Sequence, residues 1–143
     1  MTAAALCLLL AGCAQVTAPA ETGRAGSAST TINLEGTEWV LASLRGQPPI
    51  DRSLITLKFE RGSVAGSGGC NSYTGTMPAA NGRLEPGPLA STKRGCMAPG
   101  VTEQESAYLE ALGQAVAYEA SESRLVVRDR AGAEILIFTR RVN

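Results

Sequence analysis

A single segment with helical periodicity lies between two groups of short segments that alternate as strands do. Within it, Tyr108 and Leu112 fall on one apolar face. Thr102 followed three residues later by Glu105 matches a capping box, so we expect the helix to begin near Thr102. Carboxylates at a helix start favour the helix dipole, so Glu103 and Glu105 are interpreted as structural side chains.

The flanking segments have the alternation of an antiparallel sheet. Before the helix, Ile55, Leu57 and Phe59 point one way, and the polar residues between them point the other way. After the helix, we expect two strands over residues 124–129 and 134–140, joined by a hairpin turn. Strands on both sides of one helix, with short connections, indicate an α+β arrangement.

A glycine-rich stretch over residues 66–75 lies in the middle of the strand-forming region. Glycines permit bulges, tight bends and close approach of the backbone to a neighbour. The sequence therefore predicts an α+β domain in which a strongly curved, partly barrel-like antiparallel sheet packs on one helix.

The start of the chain is typical of a bacterial signal peptide. The apolar run from Ala3 to Ala11 has the length of a signal-peptide core and is too short to cross a bilayer as a stable helix. It ends in Leu10-Ala11-Gly12-Cys13, which resembles the lipobox of bacterial lipoproteins, although no Lys or Arg precedes the run. In those proteins the chain is cut before the cysteine, which then carries acyl chains. We therefore expect a signal peptide over 1–12 and lipid attachment at Cys13.

Residues 13–33 are predicted to be the lipidated cysteine and a flexible linker, and residues 34–141 the folded domain. The linker is rich in Ala, Thr, Ser and Gly and has no apolar periodicity, which is typical of chains that do not order themselves. Ala14 stands where an Asp tends to retain lipoproteins of diderm bacteria at the inner membrane. The expected location is therefore the outer membrane, with the domain facing the periplasm.

Composition argues against several classes of function. The chain has no histidine, which removes Ser–His–Asp and Cys–His catalytic arrangements and histidine-based metal sites. Basic and acidic side chains balance at 13 each, so nucleic acid is not an expected partner. We expect no catalytic residues, no metal and no cofactor, and a monomer that contacts the membrane through its lipid.

Two cysteines, Cys70 and Cys96, remain in the domain after lipidation of Cys13. An even pair in an oxidising compartment is the usual setting for a disulfide. Two separate buried thiols are the alternative, followed by a reactive or metal-binding pair, which neither the spacing nor a histidine supports.

Asn71 and Tyr73, next to the glycines, form a candidate ligand-recognition corner. The structural alternative is that Asn71 hydrogen-bonds to the backbone in a turn and that Tyr73 half-buries its ring. The sequence favours this alternative.

Several short motifs occur together between residues 34 and 140. They are Gly36-Thr37-x-Trp39, Gly68-Gly69-Cys70-Asn71-x-Tyr73-x-Gly75, Thr92 with Cys96, Glu105-x-x-Tyr108 with Leu112, and Gly132 with Leu136 and Phe138. In combination they resemble the META-domain family, also called HslJ-like. The resemblance implies a curled antiparallel sheet with a helix, bacterial lipoproteins as carriers, and links to heat shock and novobiocin resistance. It implies neither a settled molecular activity nor catalytic residues.

Three functions follow as expectations. The first is a non-catalytic envelope lipoprotein that binds or supports an unknown envelope protein or ligand under stress or antibiotic challenge. The second is a protease-inhibitor-like or chaperone-like module that presents a rigid loop such as Thr76–Pro88 to its partner. The third is a remote one, an enzyme that uses Cys70 as its nucleophile.

Overall fold

The computed structural model describes residues 31–142, so Cys13, the predicted signal peptide and most of the predicted linker lie outside the described residues. Ile32 packs partly against the core, although the sequence places it in the linker. The elements of the described chain are, in order, β1 Glu38–Leu44, β2 Thr56–Glu60, β3 Ser63–Ser67, β4 Ser72–Thr76, β5 Ala79–Ala80, β6 Arg83–Leu84, β7 Leu89–Ser91, α1 Val101–Gly113, β8 Ala117–Ala120, β9 Arg124–Arg128 and β10 Glu134–Arg140.

The strands form one antiparallel sheet that curls into a half-barrel, and α1 packs against it. The predicted α+β class and the curved sheet on one helix are confirmed. The order of strands across the sheet is β5-β6-β8-β9-β10-β1-β2-β3-β4-β7.

One bent hairpin, residues 72–91, contributes strands to both ends of this sheet. Only Met77 and Pro78 separate β4 from β5, yet β5 is the first strand of the sheet and β4 the ninth. Between them, the N–H of Gly87 donates to the carbonyl of Thr76 at 2.8 Å, and that of Glu85 donates to Pro78 at 3.1 Å. The hairpin therefore joins the two ends of the sheet, an arrangement that requires the sheet to curl.

The segment Thr76–Pro88, which the sequence treats as a loop that could be presented to a partner, lies in this hairpin, and its presentation stays a prediction. The segment contains β5 and β6, and β6 pairs with β8 through Arg83 and Ala117. β5 in turn pairs with β6, so the segment is a short two-stranded ribbon and not an irregular loop.

The core forms where the alternating residues of the sheet meet α1. Ile55, Leu57 and Phe59 are buried as their alternation predicts. Trp39 is fully buried, and its Nε1–H donates to the hydroxyl of Thr37 at 2.6 Å. A buried indole N–H needs such a partner, so the Gly36-Thr37-x-Trp39 motif is an internal packing unit.

The helix begins at Val101, close to the predicted position, but the capping box is wrong. The N-cap is Gly100, at φ 77°, and no side chain caps the helix. Glu105 points into the domain and is 7% exposed, since its carboxyl group accepts hydrogen bonds from the glycine-rich loop. Within residues 31–142, no helix has both the length and the apolar character needed to cross a membrane.

Three strands follow the helix, and the sequence predicts only two of them. β8 escapes prediction because Ala117–Ala120 is short and rich in alanine, which is depleted in strands. It forms because it pairs with both β9 and β6. The predicted hairpin of β9 and β10 is confirmed.

Candidate functional site

The glycine-rich loop between β3 and β4 lies against the first turns of α1. A Cβ atom on Gly68 would lie 2.8 Å from Cγ and Oε2 of Glu105, so only glycine fits there without displacement. Gly69 has a φ of +109°, and a Cβ on it would lie 2.5 Å from Oγ of Ser53. The two glycines therefore allow the loop to reach the helix.

Glu105 holds this loop through main-chain and side-chain donors. Its Oε2 accepts the main-chain N–H groups of Asn71 at 2.7 Å and Cys70 at 3.3 Å. Its Oε1 accepts Nδ2 of Asn71 at 2.7 Å. One buried carboxyl group thus accepts hydrogen bonds from three donors of the loop.

The oxygen of the Asn71 side chain holds a second segment, residues 92–99, which we call the strap. Oδ1 of Asn71 accepts the main-chain N–H of Arg94 at 2.7 Å and the hydroxyl of Thr92 at 3.0 Å. The Thr92 hydroxyl in turn accepts the N–H of Ser72 at 3.2 Å. Asn71 therefore connects the helix on one side to the strap on the other.

A disulfide closes the same cluster. The Sγ atoms of Cys70 and Cys96 are bonded, with Cα atoms 5.9 Å apart, so the pairing that the sequence predicts is present. Both cysteines are half-buried. The strap is thus tied covalently to the glycine-rich loop, and we call the cluster of Cys70, Asn71, Thr92, Cys96 and Glu105 the junction.

Two tyrosines extend the junction into the core. The Tyr73 hydroxyl donates to the carbonyl of Thr56 at 2.8 Å, so the Tyr108 hydroxyl donates to Oη of Tyr73 at 2.7 Å. Burial raises the pKa of Tyr73 and that of Tyr108 well above the ordinary value. The rings stack edge to face, with centroids 5.6 Å apart.

The structure brings together most of the residues that the sequence singles out. Asn71 is 6% exposed and Tyr73 is 3% exposed, so Tyr73 is buried more deeply than the expected half-burial. Their role as a ligand-recognition corner stays a prediction, and the geometry favours the structural alternative. Sequence reasoning missed the role of Glu105, although its joint occurrence with Tyr108 and the glycine motif was a usable signal.

One surface cavity lies apart from the junction, near the end of α1 and the turn between β9 and β10. A cavity of about 620 Å³ is lined by Gln114, Val116 and Arg130, together with Asp129. The Asp129 carboxylate is committed to the adjacent turn, where it accepts the N–H groups of Ala131 and Ala133. Over residues 31–142, no group of three or more His, Cys, Asp or Glu side chains is placed to hold a metal ion.

These observations define a class of protein: a small α+β domain whose curled sheet carries a disulfide-tied strap beside a single helix. The META domain family model matches residues 32–142. The chain belongs to the META-domain family.

Solved structures share the fold of this domain. A protein from Burkholderia xenovorans, solved by NMR, is 27% identical with a TM-score of 0.63, and the match covers 77% of this chain and 85% of that one. A second NMR structure, at 24% identity and a TM-score of 0.59, covers 74% and 90%. A DUF4847 family protein from Bacteroides vulgatus shares 14% identity at a TM-score of 0.50, covering 77% and 94%. No curated protein matches the sequence.

Proposed function

We propose that this chain is a lipid-anchored, non-catalytic binding domain of the bacterial cell envelope. The observation that carries the proposal is the bond between Cys70 and Cys96. Structural disulfides persist in oxidising compartments such as the periplasm and are rare in the cytosol. Membership of the META family is consistent with an envelope-associated or stress-related role.

The sequence before the domain supports the anchor. The apolar run that ends at Cys13 supplies the signal and the acceptor thiol, and Ala14 favours the outer membrane. Two or more acyl chains hold a protein to a bilayer durably, where one chain does not. The domain would then face the periplasm from the inner leaflet of the outer membrane.

The chemistry of the junction supports a role without catalysis. Its polar side chains form hydrogen bonds with one another or with the backbone, and the same holds for the two adjacent tyrosines: these residues are Asn71, Glu105, Tyr73 and Tyr108. An enzyme that uses Cys70 as its nucleophile would need a free thiolate there, and Cys70 is bonded to Cys96 instead. The polar side chains of the motif are therefore best explained as the frame that holds the strap.

The anchor is tested by intact mass and fractionation of the native protein. The wild type is expected to start at Cys13, to carry acyl chains and to sediment with the outer membrane. Cys13→Ser is expected to lose both the lipid mass and the membrane association. Cys7→Ser, a matched change inside the apolar run, is expected to keep both. A wild-type chain that starts at Met1 with an unmodified Cys13 contradicts the proposal.

A further inference from the structure

The strap is held at alternate residues. The N–H of Thr92 donates to the carbonyl of Ser72 at 2.9 Å, and the N–H of Arg94 donates to Oδ1 of Asn71 at 2.7 Å. Cys96 is held by the disulfide. Three ties at a spacing of two residues therefore hold the backbone that continues from the end of β7.

The residues between these ties face solvent. Every residue from Ser91 to Gly95 is exposed, Cys96 is half-buried, and Met97 is 97% exposed. The side chains of Thr92 and Cys96 are bonded to Asn71 and Cys70 of the glycine-rich loop, and Lys93 and Met97 remain exposed beside these ties. The strap therefore presents two cationic side chains, Lys93 and Arg94, and one large apolar side chain, Met97, from a backbone that is tied at three points.

The strap also continues the free edge of the sheet. β7 is the last strand and is paired on one side by β4, where Ala90 is opposite Thr74. In an antiparallel ladder alternate residues turn their main-chain groups to the partner. Ala90 and Thr92 face β4, so the N–H and C=O groups of Ser91 and Lys93 face away and can pair with another chain.

We propose that the strap is a substrate-like segment that occupies the active-site cleft of a trypsin-like serine protease, with Lys93 in the specificity pocket. Such a cleft binds an extended peptide through main-chain hydrogen bonds, and its pocket carries an aspartate that pairs with a lysine. The proposal rests on the proposed function as a binding domain and names the class of its partner.

The ties explain why the strap resists being an ordinary substrate. Asn71 fixes Arg94, on the far side of the Lys93–Arg94 bond, and the disulfide fixes Cys96 beyond it. On the near side, the N–H of Thr92 is bonded to the carbonyl of Ser72, so the chain is held on both sides of the bond and the two ends would stay together after a cut. A backbone that is already ordered also lowers the entropy cost of binding.

The experiment measures how strongly the mature lipidated protein, in detergent, inhibits bovine trypsin acting on a chromogenic substrate. The chain contains one other lysine that the structure describes, Lys58, which is exposed and pairs with Glu60 at 3.1 Å. Lys58→Ala is therefore the matched control. Wild type and Lys58→Ala are expected to inhibit equally, and Lys93→Ala is expected to raise the inhibition constant about 100-fold.

A change of specificity gives a second readout that a folding defect cannot imitate. Lys93→Phe is expected to lose trypsin inhibition and to gain inhibition of chymotrypsin, whose pocket is hydrophobic. The proposal is overturned if the wild type leaves trypsin uninhibited, if it is cut at Lys93 without inhibiting, or if Lys93→Ala inhibits as well as the wild type. None of these results affects the mass of the Cys13 lipid form, so failure here is distinguishable from failure of the proposed function.

Discussion

The junction around Asn71 and the hairpin of β9 and β10 belong to the same domain, but different interactions hold them. In the hairpin, the Asp129 carboxylate accepts the N–H groups of Ala131 and Ala133, so the stabilising contacts join near neighbours. In the junction, the bonds between Asn71 and Glu105 join residues 34 positions apart, and both side chains are buried.

This difference determines where the stability of the domain is concentrated. An exposed polar contact in a turn is replaced by water when it is removed, and the loss is small. A buried acceptor that is removed leaves its donors without a partner. The junction should therefore respond strongly to single substitutions, and the hairpin weakly.

The sharpest contrast is expected at two glutamates of the same helix turn. Glu105→Ala leaves buried N–H groups of Cys70 and Asn71 without an acceptor and should lower the free energy of unfolding by about 4 kcal/mol. Glu103→Ala, at an exposed position, should change it by less than about 0.5 kcal/mol. Urea denaturation measures both, and equal losses would remove the distinction between the two regions.

Loss of the disulfide should have the next largest effect. The bond joins residues 26 apart, and its removal in a Cys70→Ser, Cys96→Ser double variant should cost about 3.5 kcal/mol on the chain-entropy model. The Glu105 bonds should still hold the loop, so the variant is expected to fold with a lower midpoint. A midpoint equal to that of the wild type contradicts the expectation.

Alkaline pH should lower the free energy of unfolding through Tyr73 and Tyr108, the two buried tyrosines next to the junction. Their pKa values are raised in the folded state, so their contribution is fully present below the ordinary value of about 10 and is lost as pH rises above it. The free energy of unfolding should fall by about 2–3 kcal/mol between pH 9 and 11 from this pair. A Tyr73→Phe, Tyr108→Phe variant should show a smaller fall over that range, and an unchanged slope would exclude the pair as its source.

The smallest effect is expected in the hairpin. Arg128 and Glu134 form an ion pair at 2.8 Å, with side chains 28% and 43% exposed. Glu134→Ala should therefore cost about 0.5 kcal/mol or less, and added salt should reduce the difference further. A loss as large as that of Glu105→Ala would contradict the contrast, because it would show that an exposed local ion pair stabilises the domain as much as the buried hydrogen bonds of the junction do.

The same contrast explains what the sequence could predict. The alternation of Ile55, Leu57 and Phe59 and the turn that begins at Asp129 are local patterns, and both appear in the structure as expected. Local patterns determine which face of a strand is buried and where a hairpin turns. The class of the fold follows from them.

The role of Glu105 could not be derived from a local pattern. Its spacing from Thr102 satisfies the template of a capping box, although Gly100 provides the N-cap and Glu105 reaches a loop 34 residues earlier. β8 escapes prediction for a related reason, since its pairing with β6 and β9 compensates for a weak strand propensity. Contacts between distant segments decided both outcomes.

The central claim is that Asn71 and the disulfide fix the backbone of the strap, with the N–H of Arg94 bonded to Asn71 and the N–H of Lys93 facing away from β4. Amide hydrogen exchange tests it directly at two neighbouring residues of the mature protein. After correction for intrinsic rates, the N–H of Arg94, which is bonded to Asn71, should exchange at least about tenfold more slowly than that of Lys93. Equal rates at the two amides would contradict the claim.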